Sequence, residues 1–269
     1  MKKCTLCILA VMVTFTLFAA RDLYIFDNGV THTKGAEAQA KLLKELGYAG
    51  MSTRPGRYTK ALQAAFDKEG VKIASSYVNI DSRAKKVPES LKNHILGFKG
   101  RGTTILLSLN SKRGTMDSAV RLTREVCDLA ADSGLNVVFY CHVGCFTERI
   151  STCMEILKRA NRKNLGLGFT ILHYLVLEKS SGVETMLRKM GKDLKLVQIS
   201  GADNHQTSQR ARILGQGTFD VSRIVRTLDE MDYKGPVYLQ CWQIPGPDRK
   251  HLEASMDYWK KLTGKKEEK

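Results

Sequence analysis

"DVSRIVRTLDEMDYKGPVYLQCW", Asp220 to Trp242, decides the fold. Its first half has a helical period. Asp220 suits an N-cap, and Ile224, Val225 and Leu228 fall on one face. "DYKG" then breaks the helix, and Val237–Trp242 reads as a short apolar strand of the kind that parallel sheets bury. A helix that passes through a tight turn into a buried strand is half of a repeating α/β unit.

The same unit recurs near the other end of the chain. "LKELGYAGM" at 43–51 echoes "LDEMDYKGP" at 228–236. In both, the Tyr is expected to pack under the sheet and the Gly to permit a tight entry into the next strand. Between these copies, apolar runs alternate with helical segments. The strands read Leu23–Asp27, Ala49–Thr53, Lys72–Asn79, Thr104–Leu109, Asn136–Cys141, Gly166–Leu172, Leu194–Ser200 and Val237–Trp242. "KGAEAQAKLLKELG" puts Ala38, Leu42 and Leu46 on one helix face. "GTMDSAVRLTREVCDLAADSG" does the same with Val120, Val126, Leu129 and Ala130. Eight strand–helix units predict an α/β fold of one domain, a closed (β/α)8 TIM barrel over residues 21–264. The 269 residues suit it, since such barrels use roughly 250.

The two ends read differently. Lys2 and Lys3, an uncharged run from Thr5 to Ala20, and then Arg21 and Asp22 have the pattern of a secretory signal peptide over residues 1–20. Export to the periplasm follows as an expectation. A membrane contact arises only if the segment stays uncleaved as an N-terminal anchor. Residues 265–269 form a charged tail. The net charge is +16, but the lysines and arginines are spread over many helices, which suits solvated faces and not a nucleic-acid track. After the signal segment come Cys127, Cys141, Cys145, Cys153 and Cys241. Their odd number and the lack of a CxxC pair argue against a zinc site or a disulfide scaffold. Buried thiols are expected, with Cys141–Cys145 or Cys127–Cys153 as conceivable pairs.

A barrel of this kind binds ligands at the C-terminal ends of its strands. Those ends present Asp27 and Asn28, Thr53 and Arg54, Tyr77 and Asn79, Asn110, Tyr140 and His142, Thr170 and His173, Gln198, then Asp203 and His205, and finally Gln240 and Trp242. Amides, a carboxylate, a guanidinium and imidazoles suit hydroxyl groups, and an aromatic face such as Trp242 suits a sugar ring. A small-molecule sugar is therefore the expected partner. Asp27, Arg54, Asn79, Asn110, Tyr140, Gln198, His205, Gln240 and Trp242 would bind it. His142, His173 and Asp203 would carry the acid–base work, with Asp203 orienting a histidine.

The chain resembles the xylose-isomerase-like barrel superfamily of sugar isomerases and epimerases, which also contains an endonuclease IV branch. The resemblance runs from Asp22 to Leu262. It rests on "LKELGYAGM", "NLGLGFTILHYL", "LKLVQISGAD", "LGQGTFDVSRIVRTLDEMDYKGPVYLQCW" and "HLEASMDYWKKL". It implies a divalent ion held by a Glu on the fifth strand, an Asp on the sixth, a His on the seventh and a Glu on the eighth. Tyr140, Thr170, Gln198 and Gln240 stand at those places. Without carboxylates such a set holds at most a weak divalent metal, so no cofactor is expected. The expectation is a sugar isomerase, epimerase or lyase that moves protons through histidine. The alternative is a carbohydrate-binding barrel without activity. Nuclease chemistry would need a multi-metal cluster that these residues do not supply.

Overall fold

The computed structural model describes residues 21–264, so the signal-peptide and tail readings lie outside the described residues. Eight parallel strands close in chain order into one barrel, with β8 hydrogen-bonded back to β1. They are β1 Leu23–Phe26, β2 Gly50–Thr53, β3 Lys72–Asp81, β4 Thr104–Asn110, β5 Val137–Tyr140, β6 Leu165–Thr170, β7 Leu194–Ile199 and β8 Val237–Leu239. The helices are α1 Ala36–Leu46, α2 Lys60–Glu69, α3 Glu89–Leu96, α4 Met116–Asp132, α5 Ile150–Ala160, α6 Ile171–Leu177, α7 Val183–Met190, α8 Ser222–Glu230 and α9 Asp248–Thr263. The expected single TIM barrel is the observed fold.

Alternation along each strand sorts the side chains into two cores. Leu23 and Ile25 of β1 and Ile105 and Leu107 of β4 face outward into a continuous shell under the helices. The residues between them face inward. Phe26, Leu106, Val138, Tyr140, Leu196 and Tyr238 fill the barrel as a separate cluster, with Tyr24 and Tyr77 packed against it. This follows from the period-2 pleat of a strand. The interior is an aromatic column. Tyr24 stacks on Tyr238 at 5.1 Å, Phe26 lies 5.7 Å from Tyr238 and 5.5 Å from Tyr140, and Tyr77 meets Tyr140 at 5.0 Å.

The repeated turn proves to be one structure made twice. Gly47 and Asp232 both take positive φ, at 80° and 51°. In each copy the next residue closes the helix end, Tyr48 N–H on the Leu43 carbonyl and Tyr233 N–H on the Leu228 carbonyl, both at 2.9 Å. A Cβ on Gly50 would lie 2.4 Å from the Lys72 carbonyl oxygen, which fixes glycine at the strand entry. The two tyrosines are anchored differently. Both are buried; the Tyr48 hydroxyl donates to the Leu252 carbonyl of α9, and the Tyr233 hydroxyl donates to the Pro236 carbonyl.

Three local expectations need correction. α8 begins at Ser222, so Asp220 sits just ahead of the cap position, although its carboxylate still accepts from the Ser222 N–H at 3.0 Å. In α1 the buried face is Ala40, Leu42, Leu43 and Leu46, and Ala38 is exposed. β6 ends at Thr170, and "ILHYLVL" coils into α6 instead of extending the strand. A short run that is apolar on every side has no period to separate strand from helix. His173 therefore sits in the first turn of a buried helix.

Candidate active site

The C-terminal ends of the strands surround a cavity of about 330 Å³. β1 and the turn after it contribute Phe26, Asp27 and Asn28, β2 and β3 contribute Thr53, Arg54, Tyr77 and Asn79, and β4 contributes Asn110. The far wall carries Tyr140, His142 and Cys145 from β5 and its loop, and Leu172 and His173 from α6. Gln209, Gln240 and Trp242 complete the rim. Trp242 is 44% exposed, which is unusual for so large an apolar side chain. Asn110 and Trp242 are each followed by a non-glycine residue at positive φ, Ser111 at 61° and Gln243 at 60°. Backbone held this way costs about 1–3 kcal/mol, and such strain concentrates at functional sites.

Tyr140 organises the floor. Gln198 and Gln240 each donate an amide N–H to its phenolic oxygen, at 3.1 and 3.2 Å. Gln240 cannot turn its amide round, because its Oε1 accepts from the N–H groups of Cys241 and Trp242 and from Asn28 Nδ2. With both acceptor positions used, the Tyr140 hydroxyl hydrogen points to His173 Nε2, 3.3 Å away. Burial raises the Tyr140 pKa far above that of a free phenol, so it stays protonated. His173 is buried, with burial and the neighbouring His142 holding its pKa well below the usual value, so it is a neutral acceptor. Its Nδ1 is buried without a partner.

His142 has its own tautomer logic. Its Nδ1 lies 2.8 Å from the Val143 carbonyl, which can only accept, so Nδ1 carries the hydrogen. In the neutral ring the lone pair is then on Nε2. Burial lowers the pKa of His142, more than the Val143 hydrogen bond raises it, and keeps the ring neutral at pH 7. Its ring centroid is 4.2 Å from that of His173. Opposite, Asp27 lies 3.0 Å from Arg54 Nε and 3.6 Å from Arg57 Nη1. Burial still raises the Asp27 pKa against the lowering by the two guanidiniums. Tyr77 is pushed up to about 12 by burial and is a neutral donor.

The structure gathers Asp27, Arg54, Asn79, Asn110, Tyr140, His142, His173, Gln240 and Trp242 around one space. Gln198 lies beneath it, fully buried, and acts on it through Tyr140. Asp203 and His205 are not brought there. They line a separate surface cleft in the loop between β7 and α8. Asp203 is engaged by Arg212 at 2.5 Å and by the Thr218 N–H at 3.1 Å, contacts that depress its pKa. It closes a loop and orients no histidine. Phe26 at the end of β1 and Leu172 in α6 also line the cavity, and Cys145 and Gln209 join it without a signal in the sequence, since a loop's path over a barrel mouth has no periodicity to read. The free cysteines are buried as expected, but the thiols in contact are Cys141 and Cys153, which is neither of the conceivable pairs.

The residues present do not fit a divalent ion. Where the resemblance implies carboxylate and imidazole ligands, Gln198 and Gln240 donate their amide nitrogens to the Tyr140 oxygen, the Gln240 oxygen accepts from Asn28 and backbone N–H groups, and Thr170 donates to the Cys141 carbonyl outside the cavity, so none of the four supplies a charged or imidazole donor. Among the described residues no three His, Cys, Asp or Glu side chains gather as a metal site.

Comparisons with known proteins agree with the barrel. The family model for the xylose isomerase-like TIM barrel matches residues 40–262. No curated protein matches the chain. Among solved structures, D-allulose 3-epimerase from a Methylomonas species superposes with a TM-score of 0.74 at 14% identity, covering 90% of this chain and 98% of that one. The D-psicose 3-epimerase of Clostridium cellulolyticum H10, solved with D-tagatose, gives 0.70 at 12% identity over 90% and 99%. A probable 3-DHS dehydratase of Bacillus anthracis gives 0.69 at 12% identity over 88% and 98%. At these identities the likeness is one of fold.

Proposed function

This chain belongs to the xylose isomerase-like TIM barrel family, and on that premise we propose that it is an exported, sugar isomerase- or epimerase-like enzyme that works without a metal ion. The observation that carries the reading is the His142 tautomer: a neutral imidazole with Nδ1 committed to a backbone carbonyl and Nε2 left as a base at the cavity wall. A free or oxidised sugar in the cavity would meet amide and guanidinium donors along β2 to β4 and the Trp242 face at the rim. His142 would remove a proton from the carbon beside the carbonyl and return it to the same or a neighbouring carbon. Asn79, Asn110 and Arg54 line the same cavity and would hold the hydroxyls and the carbonyl oxygen. Tyr140, fixed by two glutamines and His173, forms the neutral floor.

Deuterium exchange tests this without knowledge of the product. The protein is incubated in D₂O with a panel of aldoses, ketoses and keto-sugars, and deuterium entry beside the carbonyl is followed by NMR. Exchange that survives a chelator and disappears in His142→Ala supports the proposal. Exchange abolished by the chelator would overturn the metal-free mechanism.

One observation favours a second reading. The amide nitrogens of Gln198 and Gln240 are both taken up by the Tyr140 oxygen, the Gln240 oxygen is taken up by Asn28 and backbone N–H groups, and the unpaired Gln198 oxygen is buried, so this floor offers little to act on a ligand, as in a carbohydrate-binding barrel without activity. Sugar binding with no exchange on any member of the panel would select it.

A further inference from the structure

Cys141 and Cys153 lie with their sulfurs 3.3 Å apart, both buried. Cys141 directly follows β5, between Tyr140 and His142, and Cys153 is on the inner face of α5. Twelve positions separate them, and that interval contains the loop with His142 and Cys145. Cys145 is turned elsewhere, its thiol donating to Asn110 Oδ1 at 3.2 Å.

We propose that Cys141 and Cys153 are a disulfide site, oxidised by a small-molecule or protein disulfide, and that the bond fastens α5 to the strand end that presents Tyr140 and His142. The sulfurs need to approach by little more than 1 Å to reach the roughly 2.05 Å of a disulfide. The chemistry is ordinary exchange. One cysteine thiolate attacks a sulfur of the oxidant and expels a thiolate, and the second cysteine then attacks the mixed disulfide. One S–S bond forms in the protein and one breaks in the oxidant, which leaves as two thiols with the two protons the cysteines lose. Burial holds the packed Cys153 thiol well above its usual range. The exchange therefore belongs to folding, before α5 docks. The Thr170 hydroxyl bonded to the Cys141 carbonyl already braces the same residue from β6, so the disulfide would complete a clamp on one side of the site. This inference stands apart from any sugar chemistry and needs only an oxidising surrounding.

The test uses the full chain, refolded in a glutathione buffer rich in the disulfide form, denatured, alkylated and cut with trypsin. The expected product joins the peptide 125–149 to the peptide 150–158, with fragment ions placing the bond at Cys141. Cys145→Ser retains the link, and Cys141→Ser loses it. Reduction of the linked protein lowers its thermal midpoint by about 5 °C or more. Alkylation of both Cys141 and Cys153 before reduction would overturn the site, as would a bond to Cys145. An unchanged midpoint on reduction would overturn the clamp.

Discussion

The shell under the helices and the column inside the barrel are built from the same strands and obey different rules. The shell is continuous and mixes aliphatic side chains with aromatic ones such as Phe66, Phe98 and Trp259, and its members need only be apolar and of suitable volume. The column sets ring against ring, Phe26, Tyr140 and Tyr238 among Leu106, Val138 and Leu196, and its upper end turns polar. There Tyr140 depends on Gln198 from β7, Gln240 just after β8 and His173 from α6 at once. The shell holds the barrel closed, and the top of the column forms the floor of the cavity.

The largest expected effect falls at the top of the column. His142→Ala should reduce sugar-dependent deuterium exchange by about 100-fold or more while sugar affinity changes little, which titration calorimetry beside the NMR assay would check. Equal loss of binding and exchange would reduce His142 to a packing residue. In the shell, Leu107→Ala should cost about 3 kcal/mol of unfolding free energy in urea, by cavity formation, and leave the exchange rate per folded molecule unchanged. Tyr140→Phe removes one oxygen and little volume. It should nevertheless cost about 2 kcal/mol, because two amide donors and His173 lose their shared partner. If that substitution were neutral, the column would be as permissive as the shell.

Acidification should separate the two regions further. His173 titrates below its unfolded value of about 6.5, so under that pH the unfolded chain binds a proton that the folded one does not. Stability should be full above pH 6.5 and fall by up to about 1.4 kcal/mol per pH unit as the pH drops below it. His173→Gln should flatten that slope in urea titrations run from pH 7 to 5. The lowered His142 pKa places the acid limb of the exchange rate below pH 6.5 as well. The smallest effect is expected at Trp242→Ala. Because the ring is half in solvent, stability should stay within about 0.5 kcal/mol, and sugar affinity should weaken by about 1 kcal/mol. A larger stability loss would mean that Trp242 belongs to the fold and not to the rim.

Most of the shell was legible because its signal is local, although Ala38, read on the same face, is exposed. Leu42, Leu46, Val126 and Leu228 declare a buried face by spacing alone, and all four are buried. Nine expected site residues could be placed around the cavity because a parallel barrel gathers its strand ends whatever they are. Asp203 and His205 went astray for the opposite reason. They lie beyond β7 in a loop that folds on itself through the Gly201–Arg212 bridge, and no periodicity announces such a turn. His173 reached the cavity by an unforeseen route, from a helix turn instead of a strand end.

The sequence by itself determined the closed eight-stranded barrel, its family, its single-domain extent and the polar ring at one end of it. Alternation and helical period act over a few residues and need no partner to be read. Only the tertiary structure decided that Gln198 and Gln240 hold Tyr140, that Nδ1 of His142 faces the Val143 carbonyl, and that Cys141 meets Cys153. Each of these depends on which atoms, separated by anywhere from one residue to a hundred along the chain, come within hydrogen-bond reach and on which side of a ring they do so. No pattern in the order of residues records that.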